Sequence, residues 1–326
     1  MKKVLGIGNA LTDILLSIEN DNILSALNLP KGSMQLVNET KQNEISEYLQ
    51  GYTRSLVTGG STANIINGIV CLGGKAGYIG KVGNDEIGQF YFNDLKTNGV
   101  EPHLLYCDTP SGRCLVLISA DGERTMCSYL GAAAELDFTQ IDKSIFNDYY
   151  LFHIEGYLVN NHNLIENLAR TAKDAGLQVS IDLASYNVVE ANHDFLQTLV
   201  KNYVDIVFAN KDEALAFAKT DNTIDALNHI AELTKIAVVK VGKDGSYIKT
   251  DETVIKIDSI NANCIDTTGA GDLYASGFLY GLMLDKPLEI CGKIGSIVSS
   301  NIVEVVGAKM DKQRWEKIAE KIQNYK

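Results

Sequence analysis

The amino-acid sequence predicts a three-layer α/β fold: a mostly parallel central sheet with helices on both faces, and a small β-sheet lid. Three observations carry this expectation. From Tyr149 onward β-like runs alternate with helical patterns: strand Tyr150 to Ile154, helix Asn161 to Ala175, strand Gln178 to Leu183, helix Ala191 to Asn202 and strand Asp205 to Ala209. Such alternation builds parallel strands joined by crossover helices. Four β-rich pieces stand outside it, at about 12–18, 33–37, 113–120 and 124–130, the last two joined by the hairpin signal Asp121-Gly122. Glycine-rich turns also follow several strands, at the carboxyl ends where open α/β sheets bind ligands.

Composition bounds the function. The 326 residues, 45% hydrophobic, suffice for a sizeable core, and residues 1–326 are read as a single domain. A net charge of -12 argues against a nucleic-acid or anionic-membrane partner. No apolar run reaches the ~18 residues of a membrane span, and Met1 to Gly8 runs straight into a strand and a glycine turn, so a cytoplasmic protein is expected. The 6 cysteines and 5 histidines show no metal-ligand spacing, so the cysteines are read as buried free thiols and no zinc site is expected.

Taken in order, Lys3 to Gly8 is a short buried strand ending in Gly6-Ile7-Gly8-Asn9. It is half of a dinucleotide-binding fingerprint, but Leu11 occupies the third glycine position and β-like sequence follows where a helix should open. A short helix around Asn22 to Leu27 and the strand Ser33 to Val37 come next. Gly59-Gly60-Ser61-Thr62-Ala63-Asn64 then opens a helix whose buried face carries Ile65, Ile66, Ile69 and Val70, with Ser61 as the expected cap. Strand Ala76 to Val82, the turn Gly83-Asn84-Asp85 and helix Glu86 to Thr97 continue the alternation.

After strand Asp205 to Ala209, Asn210-Lys211-Asp212-Glu213 opens another helix. An amide and a carboxylate three residues apart could orient Mg²⁺ through its waters, although a solvated helix N-terminus has the same composition. Strand Ile236 to Val241 ends in Gly242-Lys243-Asp244-Gly245-Ser246, followed by a hairpin from Tyr247 to Ile257. Helical stretches at Ala270 to Leu284, Leu288 to Val306 and Gln313 to Ile322 close the chain, the last carrying the only tryptophan, Trp315, read as a packing residue.

The chemistry concentrates in Asp266-Thr267-Thr268-Gly269-Ala270-Gly271-Asp272, a turn-rich loop running into a helix. Gly269 and Gly271 allow close approach of a ligand, and the free N–H groups of the first helical turn form an anion site. A carboxylate there repels phosphate but is well placed to take a proton from a hydroxyl that attacks phosphorus. Asp272 is therefore the candidate base of a small-molecule kinase. A plainly capped helix start is the structural alternative.

This heptad, followed by Ala275, Ser276 and Gly277, resembles the C-terminal signature of the ribokinase-like (PfkB-type) carbohydrate and nucleoside kinases. Gly59-Gly60-Ser61 with Asn64 resembles the family's N-terminal glycine-pair motif, and Asn210 with Glu213 its magnesium and phosphate motif. The resemblance spans essentially the whole chain. It implies ATP and Mg²⁺, with the N–H groups of Gly269, Ala270 and Gly271 serving the transferring phosphoryl group. It further implies Asn9, Asp13, Gly59, Gly60, Asn64 and Arg124 at the substrate, and Asn210, Lys240, Gly242 and Gly245 at ATP. Asp266 and Thr268 match positions that bind an activating monovalent cation such as K⁺ in many members. Gly8-Asn9-Ala10-Leu11 with Asp13, Lys31 to Met34, and Glu123 to Met126 resemble the adenosine kinase branch, while Ala63 departs from the Gln usual in its animal members.

The expected activity is phosphoryl transfer from ATP to a primary hydroxyl, the 5′-hydroxyl of adenosine or a related nucleoside, by a monomer or homodimer. Met34, Leu36, Met126, Tyr129 and Leu130 are the expected apolar cover of the base. A sugar kinase of the same family is the alternative acceptor class. A non-catalytic sugar- or nucleotide-binding regulator would have no use for Asp272, and a P-loop enzyme would need a GxxxxGK[ST] run that the chain lacks.

Overall fold

The computed structural model describes residues 2–251, 253–323 and 325; Met1, Glu252, Asn324 and Lys326, which fall within the expected domain and hairpin, lie outside the described residues. The chain begins with β1 (Lys3–Ile7), β2 (Leu11–Ser17), α1 (Asn22–Ala26), β3 (Met34–Leu36), α2 (Glu39–Tyr48), β4 (Ser55–Thr58) and α3 (Ser61–Cys71). It continues through β5 (Lys75–Gly83), α4 (Glu86–Thr97), β6 (Glu101–Cys107), β7 (Gly112–Ile118) and β8 (Arg124–Tyr129). Short 3₁₀ turns lead into β9 (Leu151–Glu155), α5 (His162–Asp174), β10 (Gln178–Asp182), α6 (Tyr186–Ala191), α7 (His193–Tyr203), β11 (Ile206–Asn210), α8 (Lys211–Ala218), α9 (Thr223–Leu233) and β12 (Ile236–Lys240). The hairpin β13 (Ser246–Lys249) and β14 (Val254–Ile257) precedes α10 (Ala270–Met283), α11 (Leu288–Ile302) and α12 (Lys312–Gln323).

Among the described residues nine strands form the main sheet in the order β14-β13-β12-β11-β10-β9-β1-β5-β6, parallel except for the hairpin at one edge. Its strands are apolar on both sides because both faces are covered. Ile206 and Phe208 of β11 point into one core with α3, α4, α10, α11 and α12, whereas Val207 and Ala209 point into the other with α5, α7, α8 and α9. Trp315 packs in the first core.

A second sheet, in the order β3-β8-β7-β2-β4, stands over the carboxyl ends of the main strands. Its outer face is covered by α1 and α2, which pack Ile23, Leu24, Ile45 and Leu49 on Ile14, Leu16, Leu115 and Leu117. The inner face carries Asp13, Cys114, Met126 and Ser128, because side chains alternate along a strand and Asp13 pairs with Cys114, and Cys114 with Ser128.

Among the described residues the lid thus has five strands, not four. β4 and the helix before it escaped the sequence reading, as did β6, α6 and α9. Cys264 is exposed, against the expectation of buried thiols, while Cys114, Cys127 and Cys291 are buried. Among the described residues no helix is long and apolar enough to cross a membrane.

Candidate active site

A cleft of about 1280 Å³ runs between the lid and the carboxyl ends of the main sheet. One half is lined by Asn9, Leu11, Asp13, Met34, Leu36, Gly60, Met126 and Leu130, the other by Asn210, Glu213, Lys240, Gly242, Gly245 and the 259–262 loop. Thr268, Ala270, Gly271 and Asp272 lie where the halves meet.

Asp272 sits in the first turn of α10 and is held by a different helix. Its Oδ1 accepts a hydrogen bond from Ser61 Oγ at 2.7 Å and its Oδ2 one from Asn64 Nδ2 at 2.9 Å. Burial pushes the carboxyl up to about 6, while the bonds from Asn64 and Ser61 pull the other way. A carboxylate with that value is ionised at neutral pH and basic enough to accept a proton in a developing transition state. Ser61 is not the cap of α3 as expected. The cap position belongs to Gly60, at φ 94°, and this frees the serine hydroxyl for Asp272.

The anion site is narrower than the motif implies. Ala270 N–H is spent on the Thr267 carbonyl at 3.1 Å. The N–H groups of Gly269, Gly271 and Asp272 have no such partner among the described residues, as the first turn of a helix requires. Lys240 stands against this turn: a Cβ added to Gly271 would lie 3.0 Å from Lys240 Nζ. The ammonium is fixed by Asp182 Oδ2 at 2.8 Å. Burial disfavours its charge, but the nearby Asp182 and Glu213 carboxylates outweigh that and raise its pKa. In turn, burial pushes Asp182 up, and Lys240 more than offsets it and holds the carboxylate below its ordinary range.

Asp13 projects from β2 into the acceptor half. Burial pushes its carboxyl up to about 6 against the opposing charges of Arg124 and Lys309. Gly59 is required beside it, since a Cβ there would come within 2.5 Å of Asp13 Oδ1. Asn9 turns its amide toward Glu155 Oε1 at 2.9 Å.

Two expected residues are engaged elsewhere. Arg124 does not line the cleft; its Nε faces Asp266 Oδ2 at 3.4 Å, joining lid to loop. Asp266 also accepts from Thr268 N and Gly307 N, both at 2.8 Å. Each of its oxygens thus accepts one N–H, with a guanidinium beside them. Tyr129 is corrected as well, because it lies on the outer lid face above Arg113, 5.7 Å from ring centre to guanidinium.

Asn210 and Glu213 form a capping box: Glu213 N–H donates to Asn210 Oδ1 at 2.9 Å while the glutamate accepts from Asn210 N at 2.7 Å. Burial and the Asp182 charge push Glu213 up. Near the anion turn the carboxylates of Asp182, Glu213 and Asp272 face the Lys240 ammonium. Glu213 lines the cleft, both its oxygens accept from Asn210, and among the described residues no three metal-ligating side chains cluster, so a divalent cation would be held there only through its waters. The sequence reading missed Ser61's role at Asp272, Asp182 and Glu155; the last two end β10 and β9, and their position after a parallel strand was the available signal.

Known proteins resemble this chain in sequence and in fold. The family model described as pfkB family carbohydrate kinase matches residues 33–314. A solved structure of a probable sugar kinase from Rhizobium etli superposes with a TM-score of 0.87 at 32% identity, covering 99% of this chain and 98% of that one. The adenosine kinase of Sinorhizobium meliloti superposes at 0.86 with 30% identity, covering 100% and 99%. An uncharacterized sugar kinase of Archaeoglobus fulgidus is 28% identical over 243 residues, 74% of this chain and 96% of its own length. With a matching family model over most of its length and solved structures at 30–32% identity across essentially all of it, the chain belongs to the pfkB family of carbohydrate kinases.

Proposed function

We propose that the protein is an ATP-dependent kinase that phosphorylates the 5′-hydroxyl of adenosine or a close purine nucleoside. The observation that carries the reading is Asp272: a carboxylate of raised pKa, aimed by Ser61 and Asn64, beside unpaired N–H groups at a helix N-terminus. Asp272 takes the proton of the acceptor hydroxyl as its oxygen bonds to the γ-phosphorus and the bond to the ADP oxygen breaks. The N–H groups of Gly269, Gly271 and Asp272, with the Lys240 ammonium, face the charge of the transferring group. Glu213 would hold Mg²⁺ through the ion's waters, and the ion would supply neutralisation of the polyphosphate charge. Asp13 accepts hydrogen bonds from the sugar hydroxyls.

The nucleoside part rests on the lid. Met34 and Leu36 remain 50% and 69% exposed, and both line the acceptor half with Met126, Leu11 and Leu130. Apolar side chains in that position suit a flat base, and the adaptable Met side chains can pack on its face. A free sugar would leave hydroxyls facing them without partners, at ~1–3 kcal/mol each. A sugar acceptor is the second reading, favoured by the polar residues Asn9 and Asp13 that line the same half. ADP release from ATP in the presence of adenosine tests the reading; no release with any nucleoside or sugar would leave only binding.

A further inference from the structure

Glu155, at the end of β9, has no part in the steps above. It is 2% exposed, borders the cleft beside Asn9 and Gly60, and accepts three N–H groups: Asn9 N at 3.2 Å and Asn9 Nδ2 at 2.9 Å on Oε1, and Thr62 N at 3.1 Å on Oε2. These donors come from the first two places where the chain passes between main sheet and lid. Asn9 lies between β1 and β2, and Thr62 follows Gly59-Gly60 between β4 and α3. The crossings pack so tightly that a Cβ on Gly8 would collide with Glu155 Oε2, and one on Gly60 would come within 2.5 Å of the Asn9 carbonyl. Thr62 also sits between Ser61 and Asn64, the two side chains that hold Asp272.

We propose that Glu155 is a positioning residue, pinning both crossings to the rigid sheet and thereby keeping Ser61 and Asn64 at the distance that aims Asp272. The inference rests on Asp272 being the base. A carboxylate is needed because three donors converge and only an all-acceptor group satisfies them; an amide must turn its own N–H groups toward Asn9 or Thr62. Its burial is unfavourable, pushing the carboxyl up to about 7, so the side chain is a poor choice for packing alone.

The wild-type enzyme is assayed first with adenosine, ribose or fructose; absence of turnover with all three refutes the kinase reading rather than this one. With turnover established, Glu155→Gln should lower kcat by ~10–100-fold, as sub-ångström misplacement of a base does. KM for ATP should stay within about twofold, since the nucleotide half is untouched. Backbone hydrogen exchange should accelerate in residues 8–12 and 59–64 and not in β12 or α11. Wild-type kcat in the variant overturns the proposal. So does a lower kcat with unchanged exchange in both segments, which would mean that Glu155 acts on the substrate itself. Should Glu155→Gln fail to fold, Asn9→Ala removes one donor and leaves the carboxylate; unchanged exchange in residues 8–12 would then overturn it.

Discussion

Asn64 and Asp272, 208 residues apart in the chain, are joined by a hydrogen bond of 2.9 Å from Nδ2 to Oδ2. The bond links the first turn of α3 to the first turn of α10, so both family motifs converge on one carboxylate. Replacing that carboxylate is the first prediction. Asp272→Asn, nearly isosteric but unable to take a proton, should lower kcat by ~10²–10⁴ while leaving ATP affinity largely intact. Steady-state kinetics with a binding titration checks it, and wild-type turnover would remove Asp272 from the mechanism.

The same substitution should stabilise the fold in alkaline solution. The folded pKa of Asp272, about 6, lies above its ordinary value of 3.8, so the charged form costs stability above pH 6. That cost fades as pH falls toward 3.8, because the folded state then holds the proton that the unfolded state has yet to bind. Allowing for the part of the carboxylate open to the cleft, Asp272→Asn should gain roughly 1–3 kcal/mol at pH 8 and about nothing at pH 4. Denaturant titrations at the two pH values report it, and a variant less stable at pH 8 would contradict it.

Ser61→Ala removes a bond that favours the ionised form of Asp272. The acid limb of kcat against pH should therefore move upward, with activity lost nearer to neutrality than in the wild type. A pH profile of both proteins decides this; a coincident acid limb would assign Ser61 to helix geometry alone.

For the metal, Glu213→Gln should raise the Mg²⁺ concentration needed for half activity and leave acceptor affinity nearly unchanged. The capping box survives in part, because Asn210 still accepts from the backbone of residue 213. An unchanged magnesium titration would leave Glu213 as a helix cap only.

Much of the main sheet was legible because its strands and crossover helices carry strong periodicity, as in α5, whose apolar side chains recur on one face. β4, with four residues, was missed because so short a run carries little pattern, whereas the strand expected at Ser33 to Val37 is present as β3. The site motifs were legible as local turns, but their engagements were not. Tyr129 and Leu130 are neighbours in sequence, yet one faces outward over Arg113 and the other lines the cleft. Arg124 could not be paired with Asp266 from sequence, since that contact exists only once the lid is placed. The switch of Ser61 from cap to partner of Asp272 depends on the positive φ of Gly60, a tertiary outcome.

The proposed acceptor of the phosphoryl group is a nucleoside rather than a free sugar. Adenosine, inosine, ribose and fructose supplied together with limiting ATP and Mg²⁺ compete directly, so the product mixture reads the ratio of their kcat/KM values. The account predicts that a nucleoside 5′-monophosphate, foremost AMP, dominates. Dominance of ribose or fructose phosphate would contradict it while leaving the kinase chemistry at Asp272 in place.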